Sequence, residues 1–382
     1  MDFSNDPLEY FGPAHEALRR HVRAFVEREI QPHVDEWEKA GEFPKELYRK
    51  AGEARILGVG YAETCGGSGG DIFSKIATVE ELMRCGSGGV VAGLGSLDIA
   101  IPPILAAGTE EQKTRFVAPV LKGDRIAALG ITEPGAGSHV AGISTSALRE
   151  GGHYRVNGSK IFITSGCRAD QLTCAVRTGG EGHRGISLLI IESSTPGFSV
   201  SQPLEKMGWR ASDTAQIFLD GCVVPADNLI GLEGQGFYSI MQNFQGERLQ
   251  LAVMANMTAQ LALEDSLRLL RERGSLKRSE APPQGLREKL ADMATLTEAS
   301  REFVYRVAAR IGAGANQVKE ISMAKNFACT VSSKVTSEAL EIHGREGSVS
   351  GALVERLFRD NRVLSIGGGT QEIMKEVIWK CL

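Results

Sequence analysis

The chain has 382 residues, of which 42% are hydrophobic and 24% charged, so it can bury a large core and is not expected to be disordered. Its length corresponds to about two or three domains of about 150 residues each. A net charge of −4 gives no basic excess for nucleic acid, and the absence of any run of about 18 apolar residues argues against a membrane span.

The N-terminal residues and the cysteines indicate the cellular compartment in which the protein is expected. The opening MDFSNDPLEYFGPAHEALRR is acidic and lacks the basic and apolar regions of a signal peptide, and it is too acidic for a typical transit peptide. The seven cysteines are scattered, odd in number and form no C-x-x-C pair, which favours reduced thiols over a metal site. We therefore expect a cytoplasmic protein without a metal centre.

Residues 1–124 are predicted to form a helical domain. Apolar positions recur at helical spacing in HEALRRHVRAFVEREIQPHVDEWEKA, where Pro32 predicts a break or kink. The same period continues in later segments, and Thr109, followed by Glu111 and Gln112, predicts a helix start.

The pattern changes near residue 125, and residues 125–232 are predicted to form an antiparallel β domain. Asn157-Gly158 lies between two β-rich runs and is typical of a hairpin turn, and Asp220-Gly221 gives a second turn signal. The segment GISLLIIESS is predicted to be a strand.

The helical period returns in residues 233–382. The segment ERLQLAVMANMTAQLALEDSLRLLRER is apolar almost all round, which predicts burial within a bundle or an oligomer. The predicted fold class is therefore α+β, with an N-terminal helical domain, a middle antiparallel β domain and a C-terminal four-helix bundle.

Four segments occur in a specific order along this layout: ITEPGAGS at 131–138, KIFITSG at 160–166, QGFYSIMQNFQGERLQLA at 235–252 and IGGGTQEIMKE in the tail. Together they closely resemble the acyl-CoA dehydrogenase family of flavoproteins over essentially the whole chain. The resemblance implies FAD as cofactor, α,β-dehydrogenation of an acyl thioester, electron-transfer flavoprotein as acceptor, and a homotetramer built as a dimer of dimers, or a homodimer.

The glycines of TEPGAGS do not form the dinucleotide fingerprint G-x-G-x-x-G, so locally they indicate a turn with exposed backbone N–H groups. The resemblance implies that this turn lines the flavin and that Ser138 also contacts substrate. It places Phe162 and Thr164 against the other flavin face, although Phe162 could equally be an inward core residue of a strand. The implied contacts of the turn are made by four residues: Ile131, Thr132, Gly137 and Ser138.

Two differences from the usual motifs of the family, which complement each other, imply the identity of the catalytic base. The usual tail motif Y-E-G-T corresponds here to Gly367-Gly368-Gly369-Thr370, so the usual glutamate is replaced by Gly368. The long-chain and isovaleryl branches carry the base at the first position of E-R-L, which is Glu247 here. Gly368 would leave room for Glu247 and offer its N–H to the thioester oxygen, with Arg248 and Gly369 also contacting substrate. Considered alone, a Glu-Arg pair on a helix is more often a solvated face or a cap, and three glycines before a helix are more often a loop.

Two segments that hold the ADP half of FAD in the family, contributed by a neighbouring subunit, are altered here. Leu276 and Lys277 replace Phe and Gly in the first segment, and Glu341, Arg345 and Ser348 replace Gln, Gly and Tyr in the second. Either Lys277 and Arg345 bind the pyrophosphate by charge, or FAD is held weakly. The remaining residues implied to bind FAD are Arg273, Gln284, Gly344, Thr370 and Glu372.

Several functions stay open on the residues alone. The thioester carrier is CoA or an acyl carrier protein. A flavin monooxygenase would lack the carboxylate that Glu247 supplies, and a non-catalytic subunit of the same fold would fit the altered ADP-side segments. The segment 93–105, mostly small and apolar, permits an aliphatic acyl chain without fixing its length.

Overall fold

The computed structural model describes residues 10–274 and 282–382, so Leu276 and Lys277 lie outside the described residues. The N-terminal part is helical. A π-helical segment, Val26–Ile30, continues the first helix up to the break at Pro32. The helices are α1 Pro13–Phe25, α2 Val34–Ala40, α3 Glu46–Glu53, α4 Ile72–Met83, α5 Gly88–Leu94, α6 Leu97–Ala100, α7 Pro102–Ala107, α8 Glu110–Gln112 and α9 Ala118–Leu121.

The predicted helix start at Thr109 is confirmed by its hydrogen bonds. The Gln112 backbone N–H donates to Thr109 Oγ1, and the Thr109 backbone N–H donates to Gln112 Oε1. This reciprocal capping satisfies two donors that a helix start leaves without intrahelical partners.

Strands follow from Ala127 onward, and within the described residues they form one sheet in the order β6-β7-β3-β2-β4-β5-β8, with β1 paired to β4. Most pairs are antiparallel, as predicted, but β4 runs parallel to β1 and to β2. The strands are β1 Ala127–Gly130, β2 Ser146–Glu150, β3 His153–Thr164, β4 Gln171–Arg177, β5 Ile186–Glu192, β6 Phe198–Val200, β7 Thr214–Pro225 and β8 Leu229–Ile230.

The two predicted turns at Asn157-Gly158 and Asp220-Gly221 are wrong. Both dipeptides lie inside long strands, β3 and β7, at a register shift where they face each other. The Gly221 N–H donates to Asn157 Oδ1 at 2.8 Å, and Gly158 has a φ of 149°, so the glycines serve a β-bulge. The hairpin turn is instead formed by Gly151 and Gly152, between Glu150 of β2 and its partner His153 of β3.

The strands β4 and β5 are buried on both faces. Alternate residues point into two cores: Ile186, Leu188 and Ile190 join the core of the helices, whereas Leu189 and Ile191 join a smaller core on the other face. This double burial explains why the sequence of β5 reads as a continuous apolar run.

The C-terminal part is again helical. Helix α12 packs against α10, α11 and α13, and α10 also packs against α11, α13 and the N-terminal α4. Helix α10, which is 37 residues long, thereby connects the bundle to the N-terminal helices. The helices are α10 Gly236–Glu272, α11 Gln284–Gly312, α12 Val318–His343, α13 Leu353–Leu364 and α14 Gln371–Trp379.

No single helix in the described part of the chain is long and apolar enough to cross a membrane. The pair Gly88–Leu94 and Leu97–Ala107, bent by 46°, passes that test of length and composition only when both are taken together.

A buried ion pair joins the 131–138 turn to β3. Lys160 Nζ donates to Glu133 Oε1 at 2.7 Å and to the Ile131 carbonyl at 3.2 Å. The Glu133 carboxylate also accepts hydrogen bonds from the backbones of Ser144 and Thr145. Burial alone would raise the pKa of Glu133, but the charge and hydrogen bond of Lys160 outweigh it and lower the pKa to about 2.

The substitution Glu133→Gln should lower the free energy of unfolding by about 3–5 kcal/mol at pH 7, because it leaves Lys160 as an unpaired buried charge. The matched control is Glu110→Gln, which breaks an exposed pair with Lys113 and should cost less than about 1 kcal/mol. Urea unfolding of the flavin-loaded proteins measures both.

The pH dependence gives a second check on Glu133. Since its folded-state pKa of about 2 lies below the ordinary value of 4.5, the stability it contributes is present above that ordinary value and is lost as pH falls. The difference between the parent and Glu133→Gln should therefore shrink between about pH 5 and pH 2. A difference that does not change over this range would contradict the role of the ion pair.

Candidate active site

The three glycines form a turn between α13 and α14. Gly368 and Gly369 have φ values of 64° and 107°, a region that favours glycine, and Thr370 follows as the N-cap of α14. The Thr370 side chain accepts a hydrogen bond from the Ile373 N–H, and together with the backbone of Glu372 it lowers the pKa of the Glu372 carboxyl. Thr370 thus caps a helix, and its predicted contact with FAD stays a prediction.

Glu247 lies on α10 opposite this turn. A Cβ added at Gly368 would lie 3.6 Å from Glu247 Oε1 and 2.9 Å from Leu251 Cδ1. A longer side chain at position 368 would therefore compete with the Glu247 carboxylate and with Leu251 for the same space. This geometry supports the steric pairing inferred from the sequence.

Two cations hold the turn against α10 and α12. Arg248 Nε donates to the Gly368 carbonyl at 3.1 Å, and Lys325 Nζ donates to the Gly369 carbonyl at 2.7 Å. Lys325 is 0% exposed. Arg248 thus contacts the backbone of the turn, and its predicted contact with substrate stays a prediction.

Sequence reasoning missed Lys325, although a signal was present. Ile321, Ala324 and Ala328 are buried at helical spacing on one face of α12, and Lys325 occupies a position of that same face. A lysine on an apolar face indicates either a buried partner or a functional contact.

The electrostatic environment of Glu247 suits a base. Burial raises the pKa of its carboxyl above the ordinary value, and Arg248, Lys325 and the Gly368 backbone limit the rise. Burial lowers the pKa of Lys325, against the influence of Cys329 and Glu247. The side chain of Glu247 nevertheless remains partly accessible to solvent.

A cavity of about 370 Å³ lies between the N-terminal helices and α10. The cavity extends to Ile321 of α12, and seven residues of α10 on either side of Glu247 in sequence line it: Gln242, Asn243, Gln245, Gly246, Leu249, Gln250 and Val253. We call it the α4–α10 cavity, because residues of α4 form its facing wall. Its size lies within the range of small-molecule sites, about 300–1,000 Å³.

The predicted flavin-facing residues lie in the 131–138 turn and in the C-terminal half of β3. The Ile161 N–H donates to the Thr132 carbonyl at 2.9 Å, so the 131–138 turn lies directly beside β3. Ile131 is buried, Thr132 and Thr164 are half-buried, and Gly137 and Ser138 are exposed.

Phe162 is not a core residue. It is 66% exposed and has a φ of 60°, at a register shift between Lys160 and Ile163. A left-handed backbone is strained for a bulky aromatic residue, and such strain concentrates at functional sites. The reading of Phe162 as an inward strand residue is therefore wrong, since the bulge turns its ring outward.

These residues fit a flavin. An added Cβ at Gly135 would meet no atom within 4 Å, and one at Gly137 would meet only Thr132 Cγ2 at 3.9 Å, so the turn leaves an open approach. Exposed backbone N–H groups beside an uncovered aromatic ring suit a planar ring system that carries phosphates.

The predicted ADP-side residues lie at the far ends of the bundle helices. Arg273 pairs with Glu346 at 2.8 Å, and Gln284 donates to Glu288 at the start of α11. Glu341 pairs with Lys289 at 2.5 Å, so its carboxylate has a cation beside it. Gly344 ends α12 with a φ of 61°.

Arg345 stands next to Gly344 in a short 3₁₀ turn and is exposed. It has no ion-pair partner among residues 10–274 and 282–382, so its guanidinium is available to an anion. The contacts of the ADP-side residues with FAD stay predictions.

Three models of the acyl-CoA dehydrogenase family match the chain in order. The N-terminal domain model matches residues 12–124, the middle domain model residues 128–222, and the C-terminal domain model residues 234–382.

Individual relatives agree with the models. An acyl-CoA dehydrogenase of Bacillus subtilis (strain 168) is 39% identical over 367 residues, covering 96% of this chain and 97% of that protein. The crystal structure of a probable acyl-CoA dehydrogenase from Mycobacterium abscessus shares 47% identity with a TM-score of 0.95, covering 97% of this chain and 99% of that chain. An acyl-CoA dehydrogenase of Bacillus anthracis, solved in complex with FAD, shares 29% identity with a TM-score of 0.90, covering 98% of this chain and 68% of that chain.

The predicted resemblance and the α–β–α fold are thereby confirmed. The chain belongs to the acyl-CoA dehydrogenase family of FAD-dependent oxidoreductases.

Proposed function

We propose that this protein dehydrogenates an acyl thioester between its α- and β-carbons, with Glu247 as the base that takes the α-proton. The observation that carries the proposal is the placement of Glu247 Oε1 3.6 Å from the position that a Cβ of Gly368 would occupy. The base and the glycine that replaces the usual base thus face the same space, beside the α4–α10 cavity.

The chain's own groups would perform three tasks. Glu247, whose pKa burial raises, takes the α-proton, and a base of raised pKa is better matched to a weakly acidic carbon. The Gly368 N–H, which contributes a hydrogen bond to the Glu247 carboxylate in this structure, would donate to the thioester oxygen as charge develops there. The apolar wall of the cavity excludes water from the reacting carbons.

Bound FAD would supply the hydride acceptor. We infer that the 131–138 turn, Phe162 and Thr164 hold its ring system, and that Arg273, Glu341, Gly344 and Arg345 serve the ADP half in an oligomer. This oligomer is proposed to be a homotetramer, or else a homodimer.

The carrier and the electron acceptor are also proposals. Electron-transfer flavoprotein as acceptor is supported by a relative, 34% identical over 97% of this chain, named the CarC subunit of a caffeyl-CoA reductase-Etf complex in Acetobacterium woodii. We favour CoA as carrier. An acyl carrier protein is the alternative, since the prolyl acyl carrier protein oxidase AnaB shares the fold at 28% identity and a TM-score of 0.90.

The direct test is anaerobic titration of the purified, flavin-loaded protein with acyl-CoAs of four to sixteen carbons, followed by visible absorption. Bleaching of the flavin band by at least one member, with formation of the 2-enoyl product, supports the proposal. A bound flavin that no member bleaches would shift the assignment to carrier-protein thioesters or to another reaction.

The substitution Glu247→Gln should slow flavin reduction about 10²–10⁴-fold, because the amide keeps the shape but cannot accept the proton. Since burial raises the pKa of Glu247, the parent rate should rise with pH through a carboxyl pKa above the ordinary 4.5, and the variant should lose this dependence. Rapid-mixing spectroscopy measures both.

The thermal stability of Glu247→Gln distinguishes loss of the base from misfolding of the variant. A raised carboxyl pKa means that ionised Glu247 destabilises the folded state as pH rises, so Glu247→Gln should melt no lower than the parent at pH 8. Retained flavin and an unchanged reduction rate in the variant would refute Glu247 as base.

The substitution Gly368→Ala tests the steric pairing. Its methyl group would press on Leu251 and crowd the Glu247 carboxylate in a left-handed backbone, and we expect about 10²-fold slower flavin reduction. Gly367→Ala is the matched control, since a Cβ there would meet Leu251 at an ordinary 3.6 Å and the backbone is not left-handed. Equal rates in the two variants would contradict the pairing.

A further inference from the structure

The α4–α10 cavity contains one charged cluster in a lining that is otherwise uncharged. Among its lining residues, Lys75 and Asp98 are the charged ones, and Tyr61 and Gln250 adjoin them. We call these four residues the Asp98 cluster. They come from four different parts of the chain, α4, α6, the segment before α4, and α10, so the tertiary fold brings them together.

The charge of Lys75 is compensated within this cluster. Lys75 Nζ donates to Asp98 Oδ1 at 3.2 Å and lies 3.7 Å from the centre of the Tyr61 ring. The Tyr61 hydroxyl also donates to Asp98 Oδ1, at 2.6 Å. Burial raises the pKa of Tyr61 well above its ordinary value, so this phenol stays protonated and continues to donate. The cluster is therefore neutral as a whole.

The second oxygen of Asp98 is left with spare capacity. Its described contact is from Gln250 Nε2 to Asp98 Oδ2 at 3.5 Å, which is long for a hydrogen bond. An ionised carboxylate oxygen accepts about two hydrogen bonds, so Oδ2 can take a further donor from the cavity. Gly95 provides the space for this arrangement, since a Cβ there would lie 3.0 Å from Gln250 Nε2.

We propose that the acyl group of the substrate carries a hydroxyl that binds between Asp98 Oδ2 and the Gln250 amide. A hydroxyl donates one hydrogen bond and accepts others, which matches an acceptor and a donor placed side by side. A ketone or an ether cannot donate to Asp98, a carboxylate would be repelled by it, and an ammonium would face Lys75. This inference rests on the proposed function, because it assigns the acyl group to this cavity.

The position of the cluster limits where the hydroxyl lies. Gln250 follows Glu247 by three residues, about 4.5 Å along the axis of α10. The lining residues farther along, Val253 and Ile321, are apolar. The hydroxyl therefore belongs a few carbons beyond the α-carbon, with room for an apolar remainder.

The test compares hexanoyl-CoA with 4-, 5- and 6-hydroxyhexanoyl-CoA on the flavin-loaded protein under anaerobic conditions. At least one hydroxylated thioester should reduce the flavin with kcat/KM or its single-turnover equivalent about tenfold or more above hexanoyl-CoA, because an apolar chain would displace water from the half-buried Asp98 carboxylate without replacing its hydrogen bond. Thermal stabilisation by each thioester provides a binding readout that does not depend on turnover.

Two variants test whether the Asp98 cluster causes the preference for a hydroxylated thioester. Lys75→Met with Asp98→Leu removes both charges together and should bring the hydroxyl preference to about unity or reverse it. Gln250→Leu keeps the ion pair, so it serves if the double variant fails to fold, and it should reduce the preference severalfold. The matched control is Lys113→Met with Glu110→Leu, an ion pair outside the cavity lining, which should leave the preference unchanged.

The outcomes separate the two proposals. If hexanoyl-CoA reduces the flavin as well as or better than all three hydroxylated thioesters, the hydroxyl inference is overturned and the proposed dehydrogenation stands. If the preference exists but survives in both cluster variants, its assignment to Asp98 and Gln250 is overturned. If no acyl thioester of any length reduces the bound flavin, the proposed function fails, and this inference fails with it.

Discussion

Two buried cations, Arg248 and Lys325, hold the glycine turn at residues 367–369 against the helical bundle, and the geometry around Glu247 depends on them. Their donors reach the carbonyls of Gly368 and Gly369, groups that would otherwise lack partners in a partly buried turn. Gly367 still donates a helix-type hydrogen bond to the Val363 carbonyl, whereas Gly368 and Gly369, with left-handed backbones, leave the helix. The position of the Gly368 N–H relative to Glu247 is therefore set by side chains from two different helices.

The same cations balance the protonation of Glu247. Burial raises the pKa of this carboxyl, and the nearby positive charges of Arg248 and Lys325 oppose that rise. A base needs this balance, because a carboxyl that is too strongly desolvated stays protonated and one that is too well paired is a weak base. A glutamate on α10 meets both conditions, since Arg248 is its sequence neighbour and Lys325 faces it from α12.

The layered order of helices, strands and helices could be predicted because it depends on local periodicity. The turns at Asn157-Gly158 and Asp220-Gly221 could not, since the same dipeptides also suit a bulge, and only the pairing of β3 with β7 decides between them. Glu247 and Gly368 could be inferred as a pair only from the resemblance to the family. Lys325 and the Asp98 cluster were missed because their partners are distant in sequence, and a single polar residue within an apolar segment does not identify its contact.

Helix α10 carries both Glu247, the proposed base, and one wall of the cavity, so the proposed proton transfer and the fit of the acyl group depend on different residues of one helix. Gly246, Leu249, Gln250 and Val253 occupy one helical face toward the cavity, while Glu247 stands beside that face, toward the glycine turn. Because α10 is packed by α4, α11, α12 and α13, it behaves as a rigid support for both. A substitution at Gln250 can therefore change which acyl group fits while leaving the Glu247 carboxylate in place. In the proposed site, the contact between Gln250 and Asp98 would thus affect which substrate binds without altering the base.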